Sequence, residues 1–357
     1  MKTRGERLTM RIGSTEIGPG RPTYVIAEMS ANHGGELDRA RKLVAAAADA
    51  GADAIKVQTF TADTITIDSE RPEFQITAGT VWDGKTLHAL YRQAAMPWEW
   101  QRELKALAES RGVAFFSSPF DPTAVSFLES LEVPAYKIAS AEIVDIGLIR
   151  CVAATGKPMI ISTGMATFEE IQEAVAAARD AGADEIALLK CTSAYPAPPE
   201  EVNLRTIPHM AETFGTPVGL SDHTTGIAVP VAAVALGAVI VEKHVTLSRA
   251  DGGPDSGFSL EPAELADMIS QIRVAERALG DVSYTPASRE VDSRSLRRSL
   301  FVVADIREGE AFTDANVRSI RPAHGLHTRH LPEVLGRRAA CSVARGTPLS
   351  WDLIGPD

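Results

Sequence analysis

The chain has 357 residues, 45% hydrophobic and 23% charged, a composition typical of a globular protein longer than one average domain. Its formal net charge of −11 argues against sequence-independent binding to nucleic acid, which needs a basic surface. No apolar run reaches the ~18 residues of a membrane span, and the opening MKTRGERLTMRIG lacks an apolar signal core, so no membrane association is expected. Three widely spaced cysteines, Cys151, Cys191 and Cys341, favour a cytoplasmic protein without disulfides.

Short apolar, β-rich runs alternate with helical patterns before residue 280. Strands are predicted at Tyr24–Glu28, Ala54–Thr59, Ala114–Ser118, Ala135–Ala139, Met159–Ser162, Ile186–Lys190, Val218–Ser221 and Val239–His244. Helical spacing predicts helices that include Leu37–Ala50, Trp100–Ser110, Phe168–Ala181, Ile227–Leu236 and Pro262–Leu279. Eight strand–helix units in about 250 residues predict an α/β fold of the (β/α)8, or TIM-barrel, type. An open doubly wound sheet is the alternative, but no Gly-x-Gly-x-x-Gly follows the first strand.

One connection in the predicted barrel is unusually long. Residues Thr61–Pro97 separate the second strand from its helix and include Trp82. Loops of this kind usually have about two to six residues. The segment is expected to form a lid over the barrel mouth, and the alternative is an insertion that packs on itself.

The tail differs from the body in charge. Residues 281–357 contain eleven arginines, no lysine and ten acidic residues, a balance of +1, which leaves 25 basic and 37 acidic residues, or −12, in residues 1–280. We predict a barrel domain at 1–280, a polar linker at 281–298 and a small β-rich domain at 299–357, with tight turns at Glu308–Gly309 and Arg345–Gly346. An arginine-only module is suited to bidentate contacts with an anionic ligand.

Two histidines end neighbouring predicted strands. His223 and His244 lie twenty-one positions apart (244 minus 223), which is one strand–helix unit. This spacing predicts that both imidazoles lie at the same rim of the barrel and share one divalent ion, for which Mn²⁺, Co²⁺ or Zn²⁺ is suitable. Asp222 and Lys243 are expected at the same rim. For a single histidine, the alternative is a hydrogen-bonded structural residue.

Polar residues also end the other predicted strands, where barrel enzymes carry their catalytic groups. Lysines at strand ends are expected to bind phosphate or carboxylate groups: Lys56, Lys137, Lys190 and Lys243. Glu28 and Glu142 are candidates for binding hydroxyl groups or activating water. Any one of these lysines has the alternative of an ordinary side chain that extends to solvent.

Longer motifs give the chain a recognisable pattern. They are AEMSANHGG (27–35), AIKVQTF (54–60), SSPFDPTAV (117–125), AYKIASAEI (135–143), ISTGMAT (161–167), CTSAYPAPPEEVNL (191–204), GLSDHTTGIAVPVAA (219–233) and EKHVTLSRADGGPDSGFSLEP (242–262). Together they resemble the sialic acid synthase family, and AEMSAN and SAYPAPPEE point toward its pseudaminic acid synthase branch. The tail, with RRSLFVV, IRPAHGL, LGRRAA and RGTPLSWDLI, resembles the antifreeze-like (SAF) domain of that family.

The resemblance implies a transferase that condenses phosphoenolpyruvate with an amino-sugar aldehyde, here 2,4-diacetamido-2,4,6-trideoxy-L-altrose, and releases phosphate and pseudaminic acid. It implies a divalent metal, Mn²⁺ or Mg²⁺ or else Co²⁺, held by His223 and His244. It also implies a head-to-tail homodimer in which the SAF domain of one subunit covers the barrel of the other.

The matched motifs imply further site residues. Those around phosphoenolpyruvate are Lys56, Ser118, Lys137, Ser140, Ser162 and Ser221, and those around the sugar and the reacting carbons are Glu28, Glu142, Tyr195, Asp255 and, from the SAF domain, Arg321. Gln58, at the same strand end as Lys56, is expected to bind substrate as well. Ser193 departs from the family because the sialic acid branch has asparagine there. Within the enzyme class, N-acetylneuraminate or legionaminate synthesis is the alternative, and outside it a carbohydrate-binding or structural protein without turnover.

Overall fold

This computed structural model describes residues 8–77 and 82–356. The chain divides between Gly280 and Asp281 into two compact units. A short antiparallel hairpin, β1 (Met10–Ile12) and β2 (Thr15–Ile17), precedes the main sheet of the first unit. The predicted linker 281–298 includes a short helix within the second unit.

Eight parallel strands form a closed barrel in the first unit, with β10 pairing with β3 to complete the ring. The strands are β3 (Tyr24–Glu28), β4 (Ala54–Thr59), β5 (Ala114–Pro119), β6 (Tyr136–Ile138), β7 (Met159–Ser162), β8 (Ile186–Cys191), β9 (Val218–Asp222) and β10 (Ile240–His244). Almost all of their residues are buried, which explains why the strands appear in the sequence as continuous apolar runs. The predicted TIM barrel is confirmed.

Helices surround the barrel and bury their apolar faces against it. The α-helices of this unit are α1 (Leu37–Asp49), α2 (Ala62–Ile65), α3 (Leu87–Ala94), α4 (Trp98–Ser110), α5 (Pro122–Ser130), α6 (Ile146–Ala153), α7 (Phe168–Asp180), α8 (Thr206–Phe214), α9 (Ala228–Ala235) and α10 (Pro262–Leu279). Side-chain hydrogen bonds to backbone amides fix where several of these helices begin. The Asp121 side chain accepts hydrogen bonds from Thr123 and Ala124 at the start of α5, and Thr167 forms a capping box with Glu170 at the start of α7.

The long connection after β4 contains both α2 and α3, so its described part is largely ordered structure. Residues 78–81 of the predicted lid lie outside the described residues. Trp98, directly after this connection, donates a hydrogen bond from Nε1 to the carbonyl of Phe60, directly before it, at 3.2 Å. Among the described residues, no helix is both long and apolar enough to cross a membrane.

Strand register sets which side chains share the carboxyl end of the barrel. His244 pairs with Glu28, and Glu28 pairs with Lys56 on the next strand. On the other side, Glu242 lies opposite Ser221 on β9. Because side chains alternate between the two faces of a strand, Glu242 and His244 lie on one face of β10 and Lys243 lies on the other.

The second unit has its own small core, which includes Leu300, Phe312 and Leu349. Its elements are helix α11 (Ser288–Val291), strands β11 (Ser299–Val302) and β12 (Val317–Ile320), which pair antiparallel, and helix α12 (Leu331–Val334). The turns predicted at Glu308–Gly309 and Arg345–Gly346 are present, and both glycines adopt positive φ. The predicted small β-rich domain is confirmed.

Candidate active site

A cavity of about 420 Å³ opens at the carboxyl ends of the barrel strands. It is lined by nearly all of the residues that the sequence predicted: Glu28, Lys56, Gln58, Lys137, Ser140, Glu142, Ser162, Tyr195, Ser221, His223, His244 and Asp255. Cavities of this size accommodate small-molecule substrates. The arrangement concentrates charged and hydroxyl groups at the end of the barrel where this fold carries its chemistry.

Ser118 and Arg321, which the family motifs also implied, do not line this cavity. Ser118 lies just behind it, with its Oγ 3.3 Å from the Nζ of Lys56, so it can orient that lysine. Arg321 belongs to the second unit, where it is exposed directly after β12.

A buried network of opposite charges forms the floor of the cavity. Lys56 Nζ lies 2.6 Å from Glu28 Oε2 and 3.5 Å from Glu242 Oε1, and Lys137 Nζ lies 3.9 Å from the same Glu242 oxygen. Glu28 Oε1 accepts hydrogen bonds from Gln58 Nε2 at 3.0 Å and from the Ser30 amide at 3.1 Å. None of the four charged side chains is more than 6% exposed, so their charges act on one another and on a ligand with little screening by water.

Burial shifts the protonation equilibria within this network. It lowers the pKa of Lys137, although Glu242 opposes the shift, and it raises the pKa of Glu28 against the effect of Lys56. Burial also raises the pKa of Glu242, but the charges of Lys137 and Lys56 outweigh it and the net shift is downward. The network therefore favours a charged Glu242 between two cationic side chains.

The two histidines predicted to bind a metal lie side by side at the ends of neighbouring strands, with their rings in edge-to-face contact. The ring centroids of His223 and His244 are 5.3 Å apart. His223 Nδ1 lies 2.9 Å from the Thr192 carbonyl oxygen, which can only accept, so Nδ1 carries a proton and Nε2 is the nitrogen left for a ligand. Burial lowers the pKa of His223, but its contacts with Cys191 and with this carbonyl outweigh that effect and the net shift is upward. Burial and the charges of neighbouring cations lower the pKa of His244 well below its usual range, which keeps it neutral.

This pair fits a divalent ion whose remaining ligands come from water or substrate. Among the described residues no cluster of three or more histidine, cysteine or acidic side chains is arranged for a metal. Neutral imidazoles are good ligands for Mn²⁺, Co²⁺ and Zn²⁺. Two protein ligands would leave several coordination positions open, as expected for a catalytic rather than a structural ion.

Lys243 and Lys190, which also lie at strand ends, do not have the role predicted for them. Lys243 is fully buried and pairs with the Asp222 carboxylate and the Thr224 carbonyl. Neither Lys243 nor Lys190 lines the cavity, and Lys190 Nζ instead donates to the Cys191 carbonyl. The expectation that these two lysines bind substrate anions is not supported by their positions, because each lies on the opposite face of its strand from the cavity.

The two remaining predicted carboxylates, Asp255 and Glu142, differ in their surroundings. Asp255 Oδ2 accepts a 2.5 Å hydrogen bond from Ser30 Oγ. Glu142 follows β6 in a 3-10 turn, and its Oε2 has no hydrogen-bond partner among the described residues. Burial raises the pKa of Glu142 to about 7, so this carboxyl can exchange a proton near neutral pH.

Sequence reasoning missed two polar residues of the cavity, Glu242 and Ser30. Glu242 is two positions before His244, and the period of two along a strand was the signal that could have identified it. Ser30 has a positive φ of 45° and connects Glu28, Gln58 and Asp255 through its amide and hydroxyl groups. No pattern in the sequence indicated that backbone conformation.

The departure at Ser193 also lies in the cavity, beside Gly164. A Cβ atom on Gly164 would lie 2.2 Å from Ser193 Oγ and 2.7 Å from Ser140 Oγ. The Gly164 amide donates a hydrogen bond to Ser140 Oγ at 3.2 Å. The loop after β7 therefore requires glycine in order to place both hydroxyl groups.

Comparisons with known proteins agree with this geometry. The model of the NeuB family matches residues 43–284, and that of the SAF domain matches residues 297–355. A pseudaminic acid synthase of Campylobacter jejuni is 41% identical over 340 residues, 95% of this chain and 98% of the relative. An N,N'-diacetyllegionaminic acid synthase of Legionella pneumophila is 36% identical and covers 93% of this chain and 94% of its own length.

A solved structure extends the comparison to the fold. The N-acetylneuraminic acid (sialic acid) synthetase of Leptospira borgpetersenii, crystallised with citrate, aligns with a TM-score of 0.71 and 32% identity over 80% of this chain and 94% of that chain. The predicted resemblance to the sialic acid synthases, the pseudaminic acid branch in particular, is confirmed, as is the prediction of an enzyme, a condensing synthase of the transferase class. The chain belongs to the NeuB family and carries a C-terminal SAF domain.

Proposed function

We propose that this enzyme condenses phosphoenolpyruvate with open-chain 2,4-diacetamido-2,4,6-trideoxy-L-altrose and water to give pseudaminic acid and phosphate. The observation that carries the proposal is a single cavity that combines two buried lysines with two histidine rings whose centroids are 5.3 Å apart. Relatives named pseudaminic acid synthase, 41% and 42% identical over more than nine tenths of the chain, support the choice of sugar.

Phosphoenolpyruvate fits the part of the cavity that is rich in cations and hydroxyl groups. Lys56 and Lys137 supply positive charge, and Ser140, Ser162 and Ser221 supply donors for phosphate and carboxylate oxygens. The Ser162 hydroxyl is buried and has no hydrogen-bond partner within the described residues, as expected of a donor kept for a ligand. Holding both reactants in one orientation converts a bimolecular reaction into an effectively unimolecular one.

His223 and His244 would hold the divalent metal, with Mn²⁺ or Mg²⁺ as first candidates and Co²⁺ as a further one. When bound, such an ion supplies Lewis acidity that polarises the sugar aldehyde. The hydrogen bond from His223 Nδ1 to the Thr192 carbonyl fixes the ring so that Nε2 can face the ion.

Carboxylates of the chain orient the water and transfer protons in the bond-forming and bond-breaking steps. Carbon 3 of phosphoenolpyruvate bonds to the aldehyde carbon, and the aldehyde oxygen takes a proton. Water adds to carbon 2 and gives up a proton, and the bond between carbon 2 and the bridging oxygen then breaks, so that phosphate leaves with that oxygen. Glu28, fixed by Lys56, Gln58 and the Ser30 amide, is placed to orient this water, and Glu142 is suited to exchange the proton.

We also propose a cytoplasmic homodimer in which each SAF domain serves the site of the other subunit through Arg321. Two facts support this part of the proposal. Arg321 is exposed and forms no ion pair with any described residue, so its guanidinium is free to bind a ligand. Free thiols at Cys151, Cys191 and Cys341 are consistent with a reducing compartment.

The test is phosphate release and product analysis. The purified chain is incubated with phosphoenolpyruvate, Mn²⁺ and, in turn, the proposed sugar, the legionaminate precursor and N-acetylmannosamine. The proposal expects fastest phosphate release with the first sugar, a nine-carbon 2-keto acid by mass and NMR, and loss of activity with a chelator. Fastest turnover with either other sugar would replace the proposed acceptor, and no phosphate with any of them would refute the function.

A further inference from the structure

The two histidines of the site differ in what holds their rings. His223 Nδ1 donates a hydrogen bond to the Thr192 carbonyl oxygen, 2.9 Å away. His244 Nδ1 is shielded from solvent and has no hydrogen-bond partner among the described residues, so Nε2 is the nitrogen left to face the cavity that His244 lines. Histidines that bind metals almost always hold their other ring nitrogen in a hydrogen bond, which fixes the orientation of the ring. The ring of His244 must therefore be oriented by another kind of contact.

A phenylalanine ring lies against both histidines. The centroid of the Phe258 ring is 5.0 Å from that of His244 and 6.0 Å from that of His223, and both contacts are edge-to-face. Aromatic rings favour this arrangement at such distances. Phe258 is only 3% exposed and is not among the residues that line the cavity. Its contacts are thus with the histidine rings and the protein interior rather than with the space open to a substrate.

Backbone hydrogen bonds fix the position of Phe258 relative to the strand that carries His244. The Leu260 amide donates to the His244 carbonyl oxygen at 2.8 Å, and the Thr246 amide donates to the Leu260 carbonyl oxygen at 2.9 Å. The segment directly after Phe258 is therefore paired with the end of β10. Because both rings belong to this hydrogen-bonded unit, Phe258 offers His244 a fixed surface to pack against.

We infer that Phe258 is a positioning residue, whose ring orients His244 for metal binding in place of the hydrogen bond that orients His223. This inference rests on the proposed function, in which the two histidines hold a divalent ion. Without the Phe258 ring, His244 is free to rotate and loses orientational freedom when an ion binds. Residues that orient metal ligands typically contribute about 10- to 100-fold to metal affinity. We therefore expect replacement of Phe258 to raise the Kd for Mn²⁺ by about 10- to 100-fold.

The test measures binding of Mn²⁺ alone, in the absence of both substrates, from the EPR signal of the free ion. The wild type, Phe258→Leu and Phe258→Met are titrated after circular dichroism has shown which of them fold. Both substitutions keep an apolar side chain and remove the ring, so either variant serves if the other does not fold. The visible spectrum of the Co²⁺-loaded protein is a second readout. Its bands should shift or broaden in both variants, because the geometry of the ligands around the ion is no longer fixed.

Phe214→Leu is the matched control. Phe214 is 9% exposed, and its ring contacts that of Phe168 rather than a histidine. This variant loses a buried aromatic ring from the same unit and should bind Mn²⁺ as tightly as the wild type. His244→Ala should abolish binding, which assigns the measured ion to the histidine pair.

Wild-type Mn²⁺ affinity and an unchanged Co²⁺ spectrum in a folded Phe258 variant would overturn the inference and leave the proposed function intact. An equal loss of affinity in Phe214→Leu would also overturn it. If Phe214→Leu folded and neither Phe258 variant did, Phe258 would be a core residue and the inference would fail. A wild type that binds no Mn²⁺, or a His244→Ala variant that binds it normally, would refute the metal assignment itself, and the inference with it.

Discussion

At the scale of single residues, the site depends on charges that are buried but paired. Lys56 Nζ lies 2.6 Å from a Glu28 carboxylate oxygen inside the barrel. Lys243 and Asp222 form a second ion pair on the outer face of the strands. Removing a charge from water is costly unless a partner replaces the lost solvation. Glu142 is the exception, because its Oε2 has no hydrogen-bond partner in the described part of the chain and burial raises its pKa to about 7.

The raised pKa of Glu142 predicts a pH-dependent stability. Between about pH 4.5, the usual pKa of the group, and about pH 7, the folded protein holds a proton that the unfolded chain has released, so wild-type stability falls as pH rises. Glu142→Gln stays neutral and avoids that loss. Its free energy of unfolding should rise relative to wild type across this range, by on the order of 1–3 kcal/mol, while turnover falls about 10²-fold.

Urea unfolding at several pH values measures the change in the free energy of unfolding, and phosphate release measures the change in turnover. Glu212→Gln, at an exposed acid on α8, is the matched control and should follow the wild type. A constant stability difference between pH 4.5 and 7 would contradict the assigned pKa. Normal turnover in Glu142→Gln would remove this residue from proton transfer.

The buried pair behind the histidines predicts a structural effect. Lys243→Met should leave the Asp222 carboxylate buried without its cation and lower the free energy of unfolding by about 3–5 kcal/mol. Adding Asp222→Asn should restore much of that loss. The exposed pair Lys105–Glu109 is the control, since Lys105→Met should cost no more than about 1 kcal/mol. A Lys243→Met variant as stable as the control would show that the pair contributes little.

Lys243 and Glu242 also show how far the sequence alone could define the site. Polar residues at strand ends correctly indicated the rim, because every strand of a parallel barrel stops there. Whether a given residue faces the cavity or the helices depends on strand register, and a shift of one residue exchanges the two faces. For this reason Lys243 was wrongly expected to bind substrate in the cavity and Glu242 was missed.

At the scale of elements, loops position side chains that the strands alone could not. The strands were predictable to within one or two residues because their apolar runs are long and bounded by polar residues. Helix α3 was not predicted, since it lies in a connection whose apolar residues face the cavity as well as the core. The loop after β7 brings Gly164 so close to Ser193 and Ser140 that no side chain fits between them.

This close approach predicts the effect of adding one methyl group. Gly164→Ala would place Cβ 2.2 Å from Ser193 Oγ and 2.7 Å from Ser140 Oγ, so both hydroxyl groups must move from their positions in the cavity. A displacement of about 1 Å in a site can lower activity about 10²-fold, and we expect a loss in kcat/KM of that order. Gly257→Ala, where nothing lies within 4 Å of the added atom, should keep normal activity. Equal activities of the two variants would refute the steric argument.

At the scale of the whole molecule, the proposal joins the barrel of one chain to the SAF domain of another. The tail contains arginine but no lysine, and arginine suits bidentate contacts with a ligand. If sites are shared, a heterodimer of Arg321→Ala and His223→Ala chains has one site with both lesions and one with neither. Two inactive homodimers should therefore regain activity after subunit exchange.

Activity in that experiment is measured as phosphate release, and exchange is verified independently with differently tagged chains. Recovery toward half of the wild-type rate per dimer is expected at full heterodimer formation. Each variant mixed with itself is the control and should stay inactive. Exchange without recovery would mean that Arg321 does not complete a partner's site.

The central claim is a condensation in which water attacks carbon 2 and phosphate leaves with the bridging oxygen. The most direct measurement uses phosphoenolpyruvate labelled with ¹⁸O at that oxygen, together with the proposed sugar and Mn²⁺. The account predicts labelled phosphate, by ³¹P NMR, in equal amount to an unlabelled nine-carbon 2-keto acid. Label retained in the keto acid, or phosphate formed without that product, would contradict it.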